Sequence, residues 1–533
     1  MKYSFVQFND LPDEILLIIF KKLDNAELLY SLIDVNKRLN KILCDSIFTS
    51  RLTLMTHLLN NSISPFSDSL LGRFCLQILP KIYDKIEWLN LESSSMERIL
   101  LSTNYPNLYG LGLYNMEVER AKYLFTDETS LTNLFKNQIS SLIIDINECE
   151  KQISTPNVNT LLFTHIFTMF INLQYLNFNP SLFSYQHLSF NFSPPTVCSS
   201  SLLELHICLQ SFSDCLYLLD GCFNQLRTFY VNICYILSSS LRINNKEKLP
   251  NLRCFSLRCD NVTNVYDELI VPFLHRMLNL EKLDLHLVVD LNKGFIDGNE
   301  LKTIINHMPQ LNKFIFNICS TIRLPNETEL RSNEDVQNTF KDFKDDQIIS
   351  CVDYFQKSKY SQCHIYSYPY KITHYRNITN NFPGGLFKCV RTVELFDERP
   401  FEHEFFLRIQ KSFPFMKELT IINRKPQKNK QYTKFTDDNR DLSIIEYSHL
   451  IELNLIKAHR DYVEQFLVDT KMCLPNNVSL YVDYFTLKKV THNFKRDATR
   501  INCAKMNYLC TTKVSRYSKH LYDYFLYAET DGL

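Results

Sequence analysis

Glycine, net charge and long apolar runs are all scarce in this sequence. Its 533 residues include only nine glycines, too few for the many tight turns of a β-sandwich or propeller. Lysine plus arginine and aspartate plus glutamate both number 58, so no overall field draws the chain to nucleic acid or to an anionic membrane. The longest apolar run, Ile15 to Phe20, is far too short to span a bilayer. Partner choice must therefore come from local surfaces.

Motifs for catalysis, cofactors and secretion are also missing. There is no G-x-x-x-x-G-K-[ST], no G-x-G-x-x-G after a strand, no H-E-x-x-H and no G-x-S-x-G, so common nucleotide-binding and hydrolase sites have no support. No charged start followed by an apolar run marks a signal peptide, and we expect a cytoplasmic or nuclear protein. We expect a non-enzymatic chain without cofactors and without a membrane segment.

None of the 17 cysteines belongs to a C-x-x-C pair, and the closest spacings, such as Cys254 to Cys259, lack the paired knuckles of a zinc site. We therefore expect reduced, mostly buried thiols and no metal. Cys208 lies near His206 on one predicted strand, but no third group is evident to orient the pair, so we do not predict catalysis there.

A compact set of short helices is predicted at the start of the chain. Pro12 suits a first helical turn, and Asp13 and Glu14 place negative charge at the positive helix end. Asp24 can cap a second helix, with Glu27 at its third position. The apolar stripe consists of Ile15, Leu16, Ile19, Phe20, Leu23, Leu28, Leu32 and Val35. So small a bundle cannot cover all of its apolar side chains, so a partner or the next domain must do so.

These residues, in the order Leu11-Pro12-Asp13-Glu14 to Val35-Asn36-Lys37-Arg38, resemble the F-box motif over about positions 9 to 45. We assign residues 1–50 to it. In that family the motif is a three-helix hook that docks on the Skp adaptor of an SCF-type cullin-RING ubiquitin ligase. By this resemblance, the residues that would make or support adaptor binding are Leu11, Pro12, Ile15, Leu16, Ile19, Phe20, Leu28 and Leu32. The alternative is a helical cap that packs on the following domain.

A second pattern follows a predicted helical linker at residues 51–85. The motif L-x-x-L-x-L, with apolar substitutes, recurs about every 28 residues from Ile86 to Leu311 and returns from Val390 onward. Proline lies two residues before the motif in YPNL, LPNL, MPQL and FPFM, as a helix-to-strand junction requires. Each unit is therefore predicted to be strand, loop and helix.

We predict an α/β fold in which these units stack into a solenoid, with parallel strands on the concave face and helices outside. It resembles an irregular leucine-rich-repeat domain of the F-box/leucine-rich-repeat type over residues 86–480. A loop or long helical insertion is expected at about 320–360, where the register is poor. Residues 481–533 are predicted to be a basic capping segment.

Strand alternation predicts which side chains face the open side of the sheet. They are polar, aromatic and mixed in sign, which suits a protein target better than a phosphate backbone. The candidate target-binding residues are Tyr175, Asn177, Glu204, His206, Tyr230, Arg258, Lys282, Asp284 and His286.

The sequence favours a substrate-recognition subunit whose hook binds the Skp-type adaptor and whose solenoid binds a target protein. A repeat scaffold that never assembles into a ligase is the alternative. A third reading, nucleic-acid binding, rests on residues 487–520, which carry nine lysines or arginines and one aspartate; a solvated cap explains that charge more simply.

Overall fold

The computed structural model describes residues 11–57, 63–126, 135–147, 156–178, 187–190, 198–220, 222–238, 248–291, 294–323, 331–343, 347–370, 372–428, 444–512 and 517–532. These residues form two compact units. The first consists of Met1–Val288 and Thr303–Phe314, and the second of Val289–Lys302 and Ile315–Leu533.

Four short helices begin the described chain: α1 (Asp13–Phe20), α2 (Asn25–Leu32), α3 (Lys37–Leu43) and α4 (Ser46–Thr49). Asp24 caps α2, as predicted, by accepting from the backbone N–H groups of Ala26 and Glu27. Asn36 caps α3 and Asp45 caps α4 in the same way. Each cap satisfies backbone donors that a helix start leaves open, which is why such short helices are well defined. We call residues 11–50 the hook.

The predicted helical linker is only partly helical. Its first residues form strand β1 (Arg51–Leu54), followed by a short antiparallel pair, β2 (Thr56–His57) and β3 (Ile63–Ser64). Helical structure follows in α5 (Asp68–Arg73), a π-helical turn (Phe74–Ile78), α6 (Leu79–Ile82) and a 3₁₀ turn (Tyr83–Lys85). Within β1, Leu52 and Leu54 are buried while Arg51 and Thr53 are not. This period of two suits a strand, whereas the prediction took the same leucines as helical.

The first unit is built on a sheet whose strands, except the short β8, follow the predicted motifs and begin two residues after the first apolar position. The strands are β4 (Trp88–Glu92), β5 (Gly110–Glu117), β6 (Ser141–Asn147), β7 (Tyr175–Asn177), β8 (His187–Leu188), β9 (Glu204–Ser211), β10 (Thr228–Tyr235), β11 (Cys254–Thr263) and β12 (Lys282–Leu291). They lie in the order β1-β4-β5-β6-β7-β9-β10-β11-β12, and the pairs from β1 to β11 are parallel. The later part of β9 pairs with β8.

Helices alternate with these strands. They are α7 (Met96–Leu100), α8 (Val118–Thr126), α9 (Pro156–Met169), α10 (Phe212–Leu219) and, after a π-helical turn (Tyr266–Ile270), α11 (Val271–Leu274). Alternate residues of several strands, such as β10 and the first part of β11, are buried, and Phe255 of β11 meets Phe273 of α11 edge to face. Strand alternation thus leaves the other residues on the opposite face of the sheet.

The same β-turn leads into strand after strand. In each of the four proline motifs, the N–H of the first apolar residue donates to the carbonyl three residues earlier, which places proline second in the turn. Proline suits that position because its φ is already fixed. The turns are Tyr105–Leu108, Leu249–Leu252, Met308–Leu311 and Phe413–Met416. The proline spacing therefore marks the turns that directly precede strands of the sheets.

Asparagine links successive units of the first sheet. Asn251 Nδ2 donates to the carbonyl of Asn224 at 2.8 Å, and Asn279 Nδ2 donates to the carbonyl of Pro250 at 2.9 Å. Asn107 and Asn172, at the same place in their units, donate to carbonyls of the units before them. Each hydrogen bond joins one unit to the unit before it. The repeat seen in the sequence is therefore also a repeat of contacts in the structure.

The second unit contains an antiparallel part and a parallel part. Its elements are α12 (Gly298–Ile305), β13 (Lys313–Arg323), α13 (Asn333–Asn338), β14 (Gln347–Phe355), β15 (Tyr360–Tyr368), β16 (His374–Ile378), β17 (Thr392–Phe396), α14 (His403–Ser412), β18 (Glu418–Ile422), β19 (Ile445–Glu446), β20 (Glu452–Asn454), α15 (Arg460–Leu467), β21 (Met472–Cys473), β22 (Val478–Val482), α16 (Tyr484–Val490), α17 (Asp497–Ala504), β23 (Met506–Thr511), α18 (His520–Tyr524) and β24 (Glu529–Gly532). The division between the units falls within β12, α12 and β13.

The region predicted as a loop or long helical insertion contains a β-hairpin. β15 runs antiparallel to both β13 and β14, and Lys359, with φ of 51°, lies in the turn of the hairpin. Burial alternates over much of β14, but the buried positions include the polar Ser350 and Asp353, so the sequence carries no simple apolar period of two there. In contrast, β16-β17-β18-β20-β22-β23-β24 form a seven-stranded parallel sheet. The predicted capping segment supplies its last two strands.

Candidate protein-interaction sites

The hook divides the predicted adaptor residues between its interior and its surface. Leu16, Phe20 and Leu28 are buried, whereas Ile15 and Ile19 are exposed by 41% and 38%. Pro12 is also exposed, and Leu11 and Leu32 are half-buried. In α1 the residues at i and i+4 share one face, so Leu16 and Phe20 hold the fold while Ile15 and Ile19 remain available for contact.

The hook has further exposed apolar side chains that the prediction did not assign to adaptor contact. They include Ile18, Leu23 and Val35. Ile18 is 59% exposed and extends the Ile15–Ile19 surface because i and i+3 are neighbours on a helix. The continuous apolar run of α1 could have indicated these residues. A helix that is apolar on every side cannot bury all of its apolar side chains in a bundle this small. Contiguous exposed apolar residues of this kind mark interaction surfaces.

Polar contacts fix the hook against itself and against the chain that follows. Arg38 of α3 pairs with Asp13 at 2.6 Å and donates to the carbonyl of Leu11, which ties α3 to the start of α1. Lys81 pairs with Asp34 at 2.5 Å, and its hydrogen bond lowers the pKa of Asp34. These contacts hold α3 against α1 and hold the hook against the helices that follow it.

The open face of the first sheet carries a row of rings, which we call the aromatic row: Trp88, Tyr175, His206 and Tyr230. Trp88 lies over Gly110, because a Cβ at that glycine would be 1.9 Å from the indole. Between Trp88 and Tyr175, the aligned positions on the two intervening strands are occupied by the small residues Gly110 and Ser141. The indole therefore extends across them to Tyr175, with 6.5 Å between the ring centroids. The guanidinium of Arg51 lies 5.2 Å from the indole centroid on the other side, within the range of a cation–π contact.

The row continues toward β12. His206 stacks on Tyr230 at 4.4 Å and contacts Tyr175 at 5.5 Å. Glu204 holds the imidazole through a 2.7 Å contact between Nε2 and a carboxylate oxygen. At the far end, Lys282 Nζ lies 5.6 Å from the Tyr230 centroid and donates to its hydroxyl. Tyr175, Glu204, His206, Tyr230 and Lys282, all predicted for this face, are thus brought together.

A charged group borders the row. Arg258 and His286 both contact the carboxylate of Asp260, at 3.1 and 2.9 Å. Burial favours a higher pKa for Asp260, but the hydrogen bond from His286 and the charge of Arg258 outweigh it and lower that pKa. His286 was predicted for the open surface, but it is buried and contacts this carboxylate. Asn177 and Asp284 lie half-buried in the same sheet.

Sequence reasoning missed Arg51, Trp88 and Asp260. Trp88 occupies the position in IEWLNL that Tyr175 occupies in LQYLNF, so aligning the first motif with the later ones would have found it. Arg51 had no such signal because its strand was predicted as helix. The face combines rings with charges of both signs, which suits a polypeptide ligand.

Gly110→Ala is expected to displace the Trp88 indole and shift its fluorescence. The new Cβ cannot share space with the ring, so the indole moves away from Arg51 and Tyr175 toward solvent. Trp88 is the single tryptophan of the chain, so emission reports this site alone, and we expect a red shift. Gly72→Ala is the matched control, because its Cβ would make only an ordinary 3.4 Å contact with Arg98. Identical spectra for the two variants would contradict the packing of Trp88.

The basic C-terminal residues that the structure describes include several with roles inside the fold. Arg496 pairs with Glu464 at 2.9 Å, Arg500 lies over the ring of Tyr524, and Lys505 donates to the carbonyl of Leu474. These contacts favour a structural function for the segment over nucleic-acid binding. Among the helices in the described part of the chain, none combines the length and apolar character needed to cross a bilayer.

Comparison with known proteins identifies the region of the hook. No curated protein matches the chain. The F-box-like family model matches residues 8–55, which includes every exposed apolar residue described above for the hook. F-box domains generally bind Skp-type adaptors. The chain therefore carries an F-box-like domain at residues 8–55, followed by a mixed α/β region with a large, mostly parallel sheet.

Proposed function

We propose that this chain is the substrate-recognition subunit of an SCF-type cullin-RING ubiquitin ligase. The hook binds the Skp-type adaptor, and the open face of the first sheet binds a target protein through the aromatic row. The observation that carries the proposal is the exposure of Ile15, Ile18 and Ile19 within the residues that match the F-box-like family. An apolar surface in that position is what an adaptor would cover.

The mechanism is positional. A target held on the sheet face, in a complex that also holds a ubiquitin-loaded enzyme, experiences a high local concentration of that enzyme. The encounter between target lysine and ubiquitin then becomes effectively intramolecular. The chain needs no catalytic residues of its own, and we propose that it acts without enzymatic activity in the cytoplasm or nucleus.

We also propose that the region after the hook is a leucine-rich-repeat solenoid. The motif spacing supports this, and so do the repeated β-turns and the asparagine bonds between successive units. In such an architecture each unit buries its apolar face against its neighbours, and the parallel strands present aligned side chains on the concave face, as the aromatic row would require.

A repeat scaffold without ligase assembly is the second candidate. It is favoured by the contacts that join the hook to the helices after it, such as Lys81 with Asp34 and Lys85 with the carbonyl of Cys44. These contacts would be expected if the helices served mainly as the cap of a solenoid. They leave Ile15, Ile18 and Ile19 uncovered, however, which is why we prefer the first candidate.

Co-purification of the full chain with a Skp-type adaptor and cullin tests the choice. We expect an equimolar complex with the adaptor that elutes as one species and recruits cullin only when the adaptor is present. The chain alone, with no adaptor, controls for direct cullin binding. A well-folded chain that elutes apart from the adaptor at micromolar concentration would overturn the ligase proposal and leave the scaffold.

A further inference from the structure

Three metal-ligating side chains converge at the later ends of β8, β9 and β10, in the first unit. His187 is the register partner of Cys208 across β8 and β9. Cys208 in turn is opposite Asn232 on β10, and Cys234 lies two residues further along that strand. Because side chains two apart in a strand share a face, Cys208 and Cys234 point to the same side.

The donor atoms of these residues are already close to one another. The imidazole nitrogen of His187, the sulfur of Cys208 and the sulfur of Cys234 all lie within 4.8 Å of each other, and His187 Nε2 is 2.9 Å from Cys234 Sγ. Zinc bonds of about 2.3 Å to sulfur and 2.0–2.1 Å to nitrogen place tetrahedral ligands roughly 3.5–3.8 Å apart. Small side-chain rotations bridge the difference.

We propose that His187, Cys208 and Cys234 bind one zinc-class divalent ion through an imidazole nitrogen and two sulfurs. Mixed nitrogen and sulfur donors suit zinc, whereas magnesium and calcium require oxygen. Three protein ligands leave one coordination position for water or a ligand oxygen, and the half-buried His187 and Cys234 leave that position on the exposed side. The ion would cross-link three strands, one of which is the two-residue β8.

The electrostatics of the pair agree with this geometry. A hydrogen bond from the Cys208 thiol, supported by one from His187, lowers the pKa of Cys234 to about 5 against the opposing effect of burial. The same pairing, together with burial, raises the pKa of Cys208. The nearby carboxylate of Asp260 is held by Arg258 and His286, so we do not assign it as a ligand.

Spacing in the sequence hides the site. The three residues lie on separate strands, more than 20 positions apart, so no short motif such as C-x-x-C announces them, and the sequence predicted no metal. Alignment of the motifs could have indicated the cysteine pair. Cys208 and Cys234 both lie an even number of residues after the first apolar position of their motifs, so both fall on the same face of the sheet.

Zinc titration of the full chain tests the proposal. The reduced protein is stripped with chelator and titrated with Zn²⁺ alone in competition with a chromophoric chelator. We expect one ion per chain. We expect the double variant Cys208→Ser, Cys234→Ser and the single variant His187→Ala to bind at least about 100-fold more weakly, since losing even a partner of a ligand costs roughly 10–100-fold. Cys254→Ser, on the neighbouring strand and outside the donor group, should match the wild type.

Protection from alkylation provides a test that needs no variant. Zn²⁺ should slow alkylation of Cys234 in the wild-type chain, while the exposed Cys389 and Cys473 react at unchanged rates and serve as internal references. Equal reaction of Cys234 with and without zinc would overturn the proposal, and so would zinc binding that persists in the double variant. A native disulfide between Cys208 and Cys234 would also overturn it. Adaptor binding is measured separately, so these outcomes leave the proposed function standing.

Discussion

Replacing both Ile15 and Ile19 by glutamate is expected to abolish adaptor binding without unfolding the hook. Both side chains are exposed in the chain alone, so charge there costs little in the free protein. In a complex each glutamate would be desolvated in an apolar contact, which is strongly unfavourable. The complex also loses the burial of two isoleucine side chains, which is worth about 1.5–3 kcal/mol each. We expect affinity for the Skp-type adaptor to fall at least about 100-fold, as measured by titration calorimetry.

Two further variants separate surface from fold. Leu76→Glu is the matched control, because Leu76 is 78% exposed but lies outside the residues that match the F-box-like family; it should bind like the wild type. Leu16→Ala should lower the stability of the hook by about 2–5 kcal/mol, since its side chain is fully buried. If the double glutamate variant retained adaptor affinity, α1 would not be the docking surface.

Asn502→Ala is expected to cause a large loss of stability in the second unit. Asn502 is fully buried, and its Nδ2 donates to the carbonyls of Met472, Phe466 and Leu467 at 2.7, 3.3 and 3.4 Å. Its Oδ1 accepts from the N–H of Leu474. Alanine leaves these backbone groups without that partner in an interior position, where each unsatisfied group costs about 1–3 kcal/mol. We expect a loss of about 3–5 kcal/mol in the free energy of unfolding.

Urea unfolding measures this loss, and hydrogen exchange locates it. Amides from α15 to Leu474 should exchange faster in Asn502→Ala, because the side chain bonds the end of that helix and the strand after it. The neighbour Ile501 is 56% exposed on the same helix, so Ile501→Ala should change stability by less than about 0.5 kcal/mol. Equal effects of the two variants would show that the buried amide contributes nothing beyond packing.

The hook and the strand positions were predictable because both rest on local patterns. Helix starts at Asp13 and Asn25 follow from Pro12 and the Asp24 cap, and the strands of the first sheet begin where the recurring motif places them. Arg51–Leu54 was missed because its leucines also fit a helix, and β14 was missed because polar residues occupy some of its buried positions. The antiparallel pairing of β15 was missed because strand direction depends on which strand it meets.

The candidate sites show the same division. Tyr175, His206, Tyr230 and Lys282 were found from alternation alone, whereas the reach of Trp88 across Gly110 and Ser141 appears only when neighbouring strands are aligned. The capture of His286 by Asp260 likewise depends on side chains from adjacent strands. His187, Cys208 and Cys234 were not found at all, since their donors meet only across three strands.

The sequence by itself determined the F-box-like hook, the mixed α/β class and the places where strands begin, because capping, helical periodicity and strand alternation act over a few residues. Only the tertiary structure decided which hook residues are buried and which remain exposed, which strands pair and in which direction, and which side chains meet on the sheet face. These depend on register and packing between residues distant in the chain, and one residue of shift in a strand moves every side chain to the other face.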